Sequence, residues 1–512
     1  MPDQLHFREG APPPRPTVLR ASGSTPSERY LQKLCERSFL KFWSHPRVFQ
    51  DDGVNRCGQG KELCDLLVVF GNDILIFSDK HCQFPRHHDL HVAWTRWFKR
   101  AVLAGANQIY GAERRIKSFP SRLFLDPECT KAFPFPLPSP ESARFHRIVV
   151  AHGASDACKA WFGSGSGSLM LDSMLVGDDH LAKRNPPTHF TIGQINPRKG
   201  YVHVFDDATL DVVMNTLDTV ADFVAYLSKK EALLSLVHRV IAAGEEELLA
   251  FYLKQLSPAG EHDFVVPKDV NAFMIEEGHW AKFCHHPQRL AQIDANRVSY
   301  LWDELIEKFS HHIMNGTQQF TSSDGPHESE LPLRFLAAEN RTRRRMLAQG
   351  LLEVVHKANA TQRFVRIYQS TEPREPYYVL LSMPSTHTKS EEEYREIRRK
   401  LLEAYCLVCK QVNQCARDIV GIAVSPTSES GCSEDLLYLN ARDWTPEQAA
   451  EAALLQADLK ILQNVTPIHG SYNEYPEVKT HPRSRFVPNG RYPRNAPCGC
   501  GSGRKFKKCC GR

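Results

Sequence analysis

From Thr25 to Trp43 the apolar residues Tyr30, Leu31, Leu34, Phe39, Leu40 and Trp43 recur at helical spacing, and Thr25-Pro-Ser-Glu28 supplies a helix start with proline near the first turn. The next segment, KELCDLLVVFGNDILIFSDK, carries two β-rich apolar runs on either side of Gly71-Asn72-Asp73. That turn composition suits positive φ angles and predicts a hairpin. A helix with an apolar stripe and a basic opposite face is expected over VAWTRWFKRAVLAGANQIYGAERRIKS. Strands are expected at Arg147 to Ala151 and Tyr201 to Phe205, separated by a GSGSGS segment at Gly163 to Ser168. No Gly-Lys-Ser/Thr follows that segment, so it reads as a flexible loop rather than a phosphate cradle.

Beyond residue 210 the pattern is mainly helical to about residue 320, and TSSDGPHESELPL at Thr321 to Leu333 reads as a linker. A second α/β region follows over 334–465. It has a basic helix at Arg334 to Asn359, strands at Arg363 to Tyr368 and Tyr377 to Ser382, a long helix at Ser390 to Ala416, and strands at Asp418 to Val424 and Glu434 to Tyr438. Residues 466–496 are dominated by Pro, Asn, Gly and Arg, as in a tether, and residues 1–24 have the composition of a flexible leader. The expected divisions are therefore 1–24, 25–209, 210–320, 334–465, 466–496 and 497–512.

Composition narrows the class without naming an activity. A chain of 512 residues with 42% hydrophobic, 10% aromatic and 24% charged residues is a multidomain globular protein rather than a rod or a disordered chain. Its formal charge of +5, from 64 basic against 59 acidic residues, is too small to define a nucleic-acid binder by itself. No run approaches the ~18 apolar residues of a membrane span. The N-terminal segment lacks an apolar signal core, so a cytoplasmic protein is expected. Fifteen cysteines, an odd number, read as reduced thiols plus metal ligands rather than a disulfide framework.

The sharpest chemistry lies at the C-terminus, where Cys498, Cys500, Cys509 and Cys510 form C-x-C-x8-C-C. Four soft ligands in a segment too short for a core call for a tetrahedral structural zinc, with all four positions filled and none open to substrate. The segment resembles the SEC-C motif, the zinc-binding tail of the protein-export ATPase SecA. It matches at Cys498, Cys500, Gly501, Ser502, Gly503, Lys505, Phe506, Lys507, Lys508 and Cys509, with Cys510 at the variable His/Cys place. The resemblance implies a docking element for a protein, an anionic surface or a ribosome. Arg491, Arg494, Arg504, Lys505, Lys507, Lys508 and Arg512, with no acid between them, would make it a positive knob.

The second constellation is a helix acid, then Asp65 opening the hairpin, Lys80 closing it, and Gln108 on the following helix. Metal-assisted phosphodiester cleavage needs carboxylates to hold magnesium and a lysine to orient the attacking water. The order resembles the PD-(D/E)xK nuclease superfamily. It implies a restriction-endonuclease-like α/β/α core over residues 25–209, magnesium held by Asp65 and Glu28 (or Glu36), and Lys80, Asp79 and Gln108 in the catalytic set. The chain departs from that pattern in having Ser78 where the acid-x-Lys motif has its acid. A two-residue turn sets Asp65 opposite Ser78 and a three-residue turn sets it opposite Asp79. A bulge at Asp79, or a migrated acid such as Glu62, could complete the site.

Weaker signals take bland readings. Cys406 and Cys409 sit inside the long helix and are expected to be buried thiols. His87, His88, His91, His285 and His286 read as surface histidines, and the RTRRR run at Arg341 to Arg345 as a charged helix face. Arg96, Lys99, Arg100, Arg114, Arg115 and Lys117 fit a phosphate track and a solvated face equally well. The expected architecture is thus an α/β multidomain chain: the nuclease-like core, a helical middle, a second α/β region and a C-terminal zinc knuckle. The leading expectation is a magnesium-dependent hydrolase of nucleic-acid phosphodiesters, recruited by that knuckle. The alternative is a non-enzymatic adaptor with a degenerate nuclease fold, docking on a chaperone, ribosome or secretion partner.

Overall fold

The computed structural model describes residues 25–511 except 53, 55–57, 164, 259, 268, 319–325, 360, 370–375, 386–387, 389, 427–432, 464, 467–472, 479–491 and 499–503. The expected leader, much of the tether, and Cys500, Arg491 and Arg512 lie outside the described residues. Among the described residues the chain is a mixed α/β protein with three sheets.

It begins with α1 (Pro26–Phe39), β1 (Ser44–Gln50), β2 (Lys61–Phe70) and β3 (Asp73–His81). Pairing runs from Leu66 against Phe77 to Phe70 against Asp73, so the hairpin turns on Gly71-Asn72, and Gly71 takes φ +58°. Next come α2 (Leu90–Phe98), a π-helical turn (Lys99–Leu103), α3 (Ala104–Ser118), β4 (Leu123–Phe124), β5 (Arg144–His152), α4 (Ser155–Phe162), β6 (Met170–Val176), β7 (Thr191–Gln194) and β8 (Val202–Asp206). The first sheet has the order β4-β1-β2-β3-β5-β8. Its first three consecutive strands are antiparallel, and β5 and β8 are added parallel to β3.

Both faces of that sheet are covered, which explains why its central strands read as unbroken apolar runs. On one face Leu66, Val68, Leu75, Phe77, Ile148 and Val150 pack with Leu31, Leu34 and Phe39 of α1. On the other face Leu67, Val69, Ile74, Ile76 and Val149 pack with Trp94, Trp97, Val102 and Ile109. The helix after β3 lies close on the sheet, because a Cβ at Gly105 would sit 3.0 Å from Val149 Cγ1.

Residues 210–320 hold α5 (Thr209–Thr216), α6 (Val220–Leu236), β9 (Arg239–Ala242), α7 (Glu245–Leu253), β10 (Ala272–Ile275), α8 (His279–Cys284), α9 (Pro287–Ala295) and α10 (Tyr300–Asn315). The helical expectation omitted two strands here. β9 and β10 join β6 and β7 in one sheet of order β10-β9-β6-β7, so this stretch completes a sheet begun before residue 209. Such short strands carry too few residues to show a period.

The third region comprises α11 (Pro326–Ala337), α12 (Arg341–Lys357), β11 (Phe364–Tyr368), β12 (Tyr377–Ser382), α13 (Glu391–Val412), β13 (Asp418–Val424), β14 (Glu434–Asn440) and α14 (Pro446–Asp458). Part of the expected linker is therefore helical, and the basic helix is two helices split before Asn340, which caps α12 by accepting from the Arg343 N–H. The RTRRR run is not a solvated face. Arg341 donates to Asp218 at 2.8 Å and to Asp303 at 2.9 Å, while Arg344 donates to Asp303 at 2.7 Å. Arg345 donates to the backbone carbonyls of Asn473 and Glu474. Within α13, Cys406 and Cys409 are both fully buried, and burial pushes the Cys409 thiol up to about 12, so they pack as unreactive thiols. Among the described residues no helix is long and apolar enough to cross a membrane.

Candidate functional site

Strand alternation sends Ser78 and Lys80 to the sheet face covered by α3, and Asp65 to the same face from β2. Gln108 on α3 reaches down between them. Ser78 Oγ donates to Gln108 Oε1 at 2.8 Å, and Gln108 Nε2 donates to Asp65 Oδ1 at 3.3 Å. Asp65 Oδ2 accepts from the Asp79 backbone N–H at 2.5 Å and from Lys80 Nζ at 3.3 Å. Lys80 also donates to the Asp79 carbonyl at 3.3 Å. Of the residues picked from sequence, Asp65, Lys80 and Gln108 thus form one hydrogen-bonded group, together with Ser78.

The Asp79 side chain does not join them. It is buried on the opposite face, where His152 Nε2 lies 2.7 Å from its Oδ1 in an ion pair rather than an aligned hydrogen bond. His152 Nδ1 donates to Asp207 Oδ1 at 2.6 Å, and Asp207 Oδ2 accepts from the Gly153 N–H. Burial opposes a charge on His152, but Asp207 and Asp79 outweigh it and raise its pKa to about 9, leaving an imidazolium at neutral pH. Sequence reading missed His152 and Asp207, which carry no local motif and reach Asp79 through the parallel β3–β5–β8 register. No bulge turns Asp79 inward: β3 pairs with β5 in unbroken register from Asp73 to His81.

The other acids make contacts outside this hydrogen-bonded group. Glu28 accepts from Thr25 Oγ1 at 2.7 Å, and Glu36 accepts from Gln32 Nε2 at 2.6 Å. Glu62 lies 3.7 Å from Arg47. Burial, then the neighbouring charge of Asp65 and Glu28, raises the Glu62 carboxyl above its ordinary range. Among the described residues, no three carboxylate or histidine ligand atoms around Asp65 come within 4.8 Å of one another. The donor set therefore does not fit an assembled magnesium site. Of the helix bases, Arg115 pairs with Asp51 and Asp52, and Lys117 with Glu113, while Arg96, Lys99, Arg100 and Arg114 are exposed. Two of the six bases of the phosphate track are thus engaged in ion pairs, and four are exposed.

The C-terminal cysteines meet a stricter geometric standard. The Cys498 N–H donates to the Arg504 carbonyl at 2.7 Å, the Phe506 N–H to Ala496 at 2.9 Å and the Lys507 N–H to Arg494 at 3.0 Å, closing a small hairpin. A 3-10 turn over Phe506–Lys508 then delivers Cys509 and Cys510. The Phe506 ring packs 5.0 Å from Tyr492, and a Cβ at Gly511 would come 2.7 Å from it. The sulfurs of Cys498, Cys509 and Cys510 all lie within 4.8 Å of one another, with Cys509 and Cys510 at 3.9 Å. A zinc tetrahedron with ~2.3 Å bonds has an S···S edge of about 3.8 Å, so these three thiols fit its corners. Residues 494–512 match the SEC-C motif. This is a zinc-binding motif, and it covers only the last segment of the chain; no curated protein and no solved structure matches the chain significantly. In the SEC-C segment no acid accompanies the described bases Arg494, Arg504, Lys505, Lys507 and Lys508, so the knuckle's surface stays positive around its thiolates.

Proposed function

We propose that this chain is a docking protein, in which the SEC-C knuckle binds zinc through Cys498, Cys500, Cys509 and Cys510 and presents a basic surface to an anionic partner, a protein or a ribosome. The N-terminal domain is then a nuclease-like α/β/α scaffold that binds without cutting. The observation that carries this reading is the closed hydrogen-bond group at the hairpin. Ser78 stands in the acid's place bonded to Gln108, Lys80 rests on Asp65, and Asp79 is turned away to His152. Asp65, Ser78, Lys80 and Gln108 each already have an internal partner, and one carboxylate is too few to hold magnesium among hard oxygen ligands.

A second reading is magnesium-assisted phosphodiester hydrolysis. It is favoured by Glu62 on the same strand as Asp65, whose carboxyl is held above its ordinary range by burial first and then by the charge of Asp65 and Glu28. In that case Asp65 and a helix or strand acid would hold the ion. Lys80 would orient water and offset phosphate charge, and Gln108 would fix the Asp65 carboxylate.

The two readings separate in one experiment. Zinc-loaded protein is incubated with labelled single- and double-stranded DNA and RNA in magnesium, manganese or EDTA, beside Asp65→Ala and Lys80→Ala. The docking reading expects no metal-dependent cleavage, and retention on a polyanion column that Cys509→Ser abolishes. Cleavage by the wild type that disappears in both hairpin variants would replace it with the second reading.

A further inference from the structure

Residues 473–478, which composition places in a tether, lie against the body of the protein. Among the described residues they form neither helix nor strand and make no backbone–backbone hydrogen bond. Side chains of the body hold them instead. Glu474 Oε2 lies 2.7 Å from His262 Nε2, and Glu474 Oε1 accepts from Gln292 Nε2 at 2.5 Å. Arg345 donates to the carbonyls of Asn473 at 2.6 Å and of Glu474 at 3.2 Å. Tyr475 Oη donates to the Leu253 carbonyl at 3.1 Å, and its ring stands edge-on to His262. A carboxylate met by charge-assisted donors and a tyrosine with its hydroxyl engaged are the anchors by which a short segment is recognised.

The groove that holds them is assembled from separate parts of the chain: the end of α7 and the connection after it, α9, and α12. Each donor in it has a second partner that belongs to the body. His262 Nδ1 donates to the Gln255 carbonyl at 3.3 Å, which leaves Nε2 for Glu474. Arg289 donates to Gln292 Oε1, which turns the amide Nε2 to Glu474. Arg345 donates to Asn296 Oδ1 at 3.0 Å. The donors therefore stay positioned when the segment leaves, and such preorganisation is what a binding site needs. We propose that the body carries a groove for a short extended peptide with an adjacent Glu-Tyr pair, and that residues 473–478 of this chain occupy it in cis. The segment is then an internal competitor, and a peptide in trans reaches the groove only when that segment is released. None of these contacts involves the zinc knuckle or the hairpin, so the groove stands or falls apart from the function proposed above.

The test is fluorescence anisotropy of the full zinc-loaded chain with a labelled peptide of residues 471–479, SYNEYPEVK. In the double variant Glu474→Ala/Tyr475→Ala the internal occupant loses its anchors while the groove keeps its own residues, so the peptide should bind. A cis occupant acts at an effective concentration on the order of millimolar, so wild type should bind the peptide at least about tenfold more weakly than the variant does. A peptide carrying Glu474→Gln should bind the variant at least about tenfold more weakly than the native peptide. The proposal fails if the folded variant binds no peptide, if wild type binds as tightly as the variant, or if the Glu474→Gln peptide binds as tightly as the native one. Should the double variant not fold, Glu474→Gln in the chain takes its place, and peptide binding no tighter than that of wild type overturns the proposal.

Discussion

At the N-terminal hairpin, Asp65, Ser78, Lys80 and Gln108 are held by a sheet whose two faces are both buried, whereas at the C-terminus Cys498, Cys509 and Cys510 are held by a few backbone hydrogen bonds around one aromatic pair. The first group has its polar atoms matched to one another, so it is complete without a ligand. The second has thiols drawn together with little core beneath them, which is the situation in which a bound metal supplies the folding energy. Proximity of chemically able residues therefore means different things in the two places. In the hairpin it is an outcome of packing, and in the knuckle it fits a metal site.

The sharpest way to break this contrast is at the knuckle. Chelation, or Cys509→Ser, should take bound zinc from about one per chain to near none and erase hydrogen-exchange protection at Cys498 and Phe506, since structural zinc supplies roughly 10 kcal/mol or more to such segments. The melting of the body should not move, and a shared transition would show that the two regions are not energetically separate. A second test asks whether the body owes its stability to satisfied burial. Asp303→Ala leaves the buried Arg344 without a carboxylate and Arg341 with Asp218, and should cost about 3–5 kcal/mol in urea unfolding.

A third test concerns the face of the hairpin that Asp79 occupies. The His152 pKa is raised to about 9 from an ordinary 6.5, so its contribution is complete below about pH 6.5 and is lost as pH rises through about 9. That contribution is at most about 3 kcal/mol. Urea midpoints at pH 6 and 10 should diverge in wild type and converge in Asp79→Asn, and an NMR titration should find the His152 midpoint well above that of an exposed histidine. The smallest effect is expected at Ser78→Ala, which removes one hydrogen bond to Gln108 and should cost about 1 kcal/mol. A much larger loss would mean that the group on that face is a strained assembly rather than a settled one.

Much of this was legible in the chain. Period two assigned Ser78 and Lys80 to one face and Asp79 to the other, while the pairing of Leu66 with Phe77 chose between the two registers that the turn composition allowed. Helical placement of Cys406 and Cys409 foretold buried thiols, and the C-x-C-x8-C-C spacing foretold a metal knuckle. What was not legible was either too short to show a period, as at β9 and β10, or involved a partner far away in the chain. RTRRR looks like a solvated face until Asp218 and Asp303 are brought beside it. A Gly/Ser run looks like a passive loop until Glu246 receives its hydroxyls.

The sequence by itself thus determined the local geometry: the first helix start, the hairpin, the alternation of its two faces and the four-cysteine motif. These depend on residues within a few positions of one another, where backbone sterics and spacing decide. Only the tertiary structure decided that Asp79 faces His152, that the arginine run is interior, and that the serine hydroxyls of the glycine loop are bound by Glu246. Those outcomes depend on which charges burial forces together, and burial is a property of the whole packed chain.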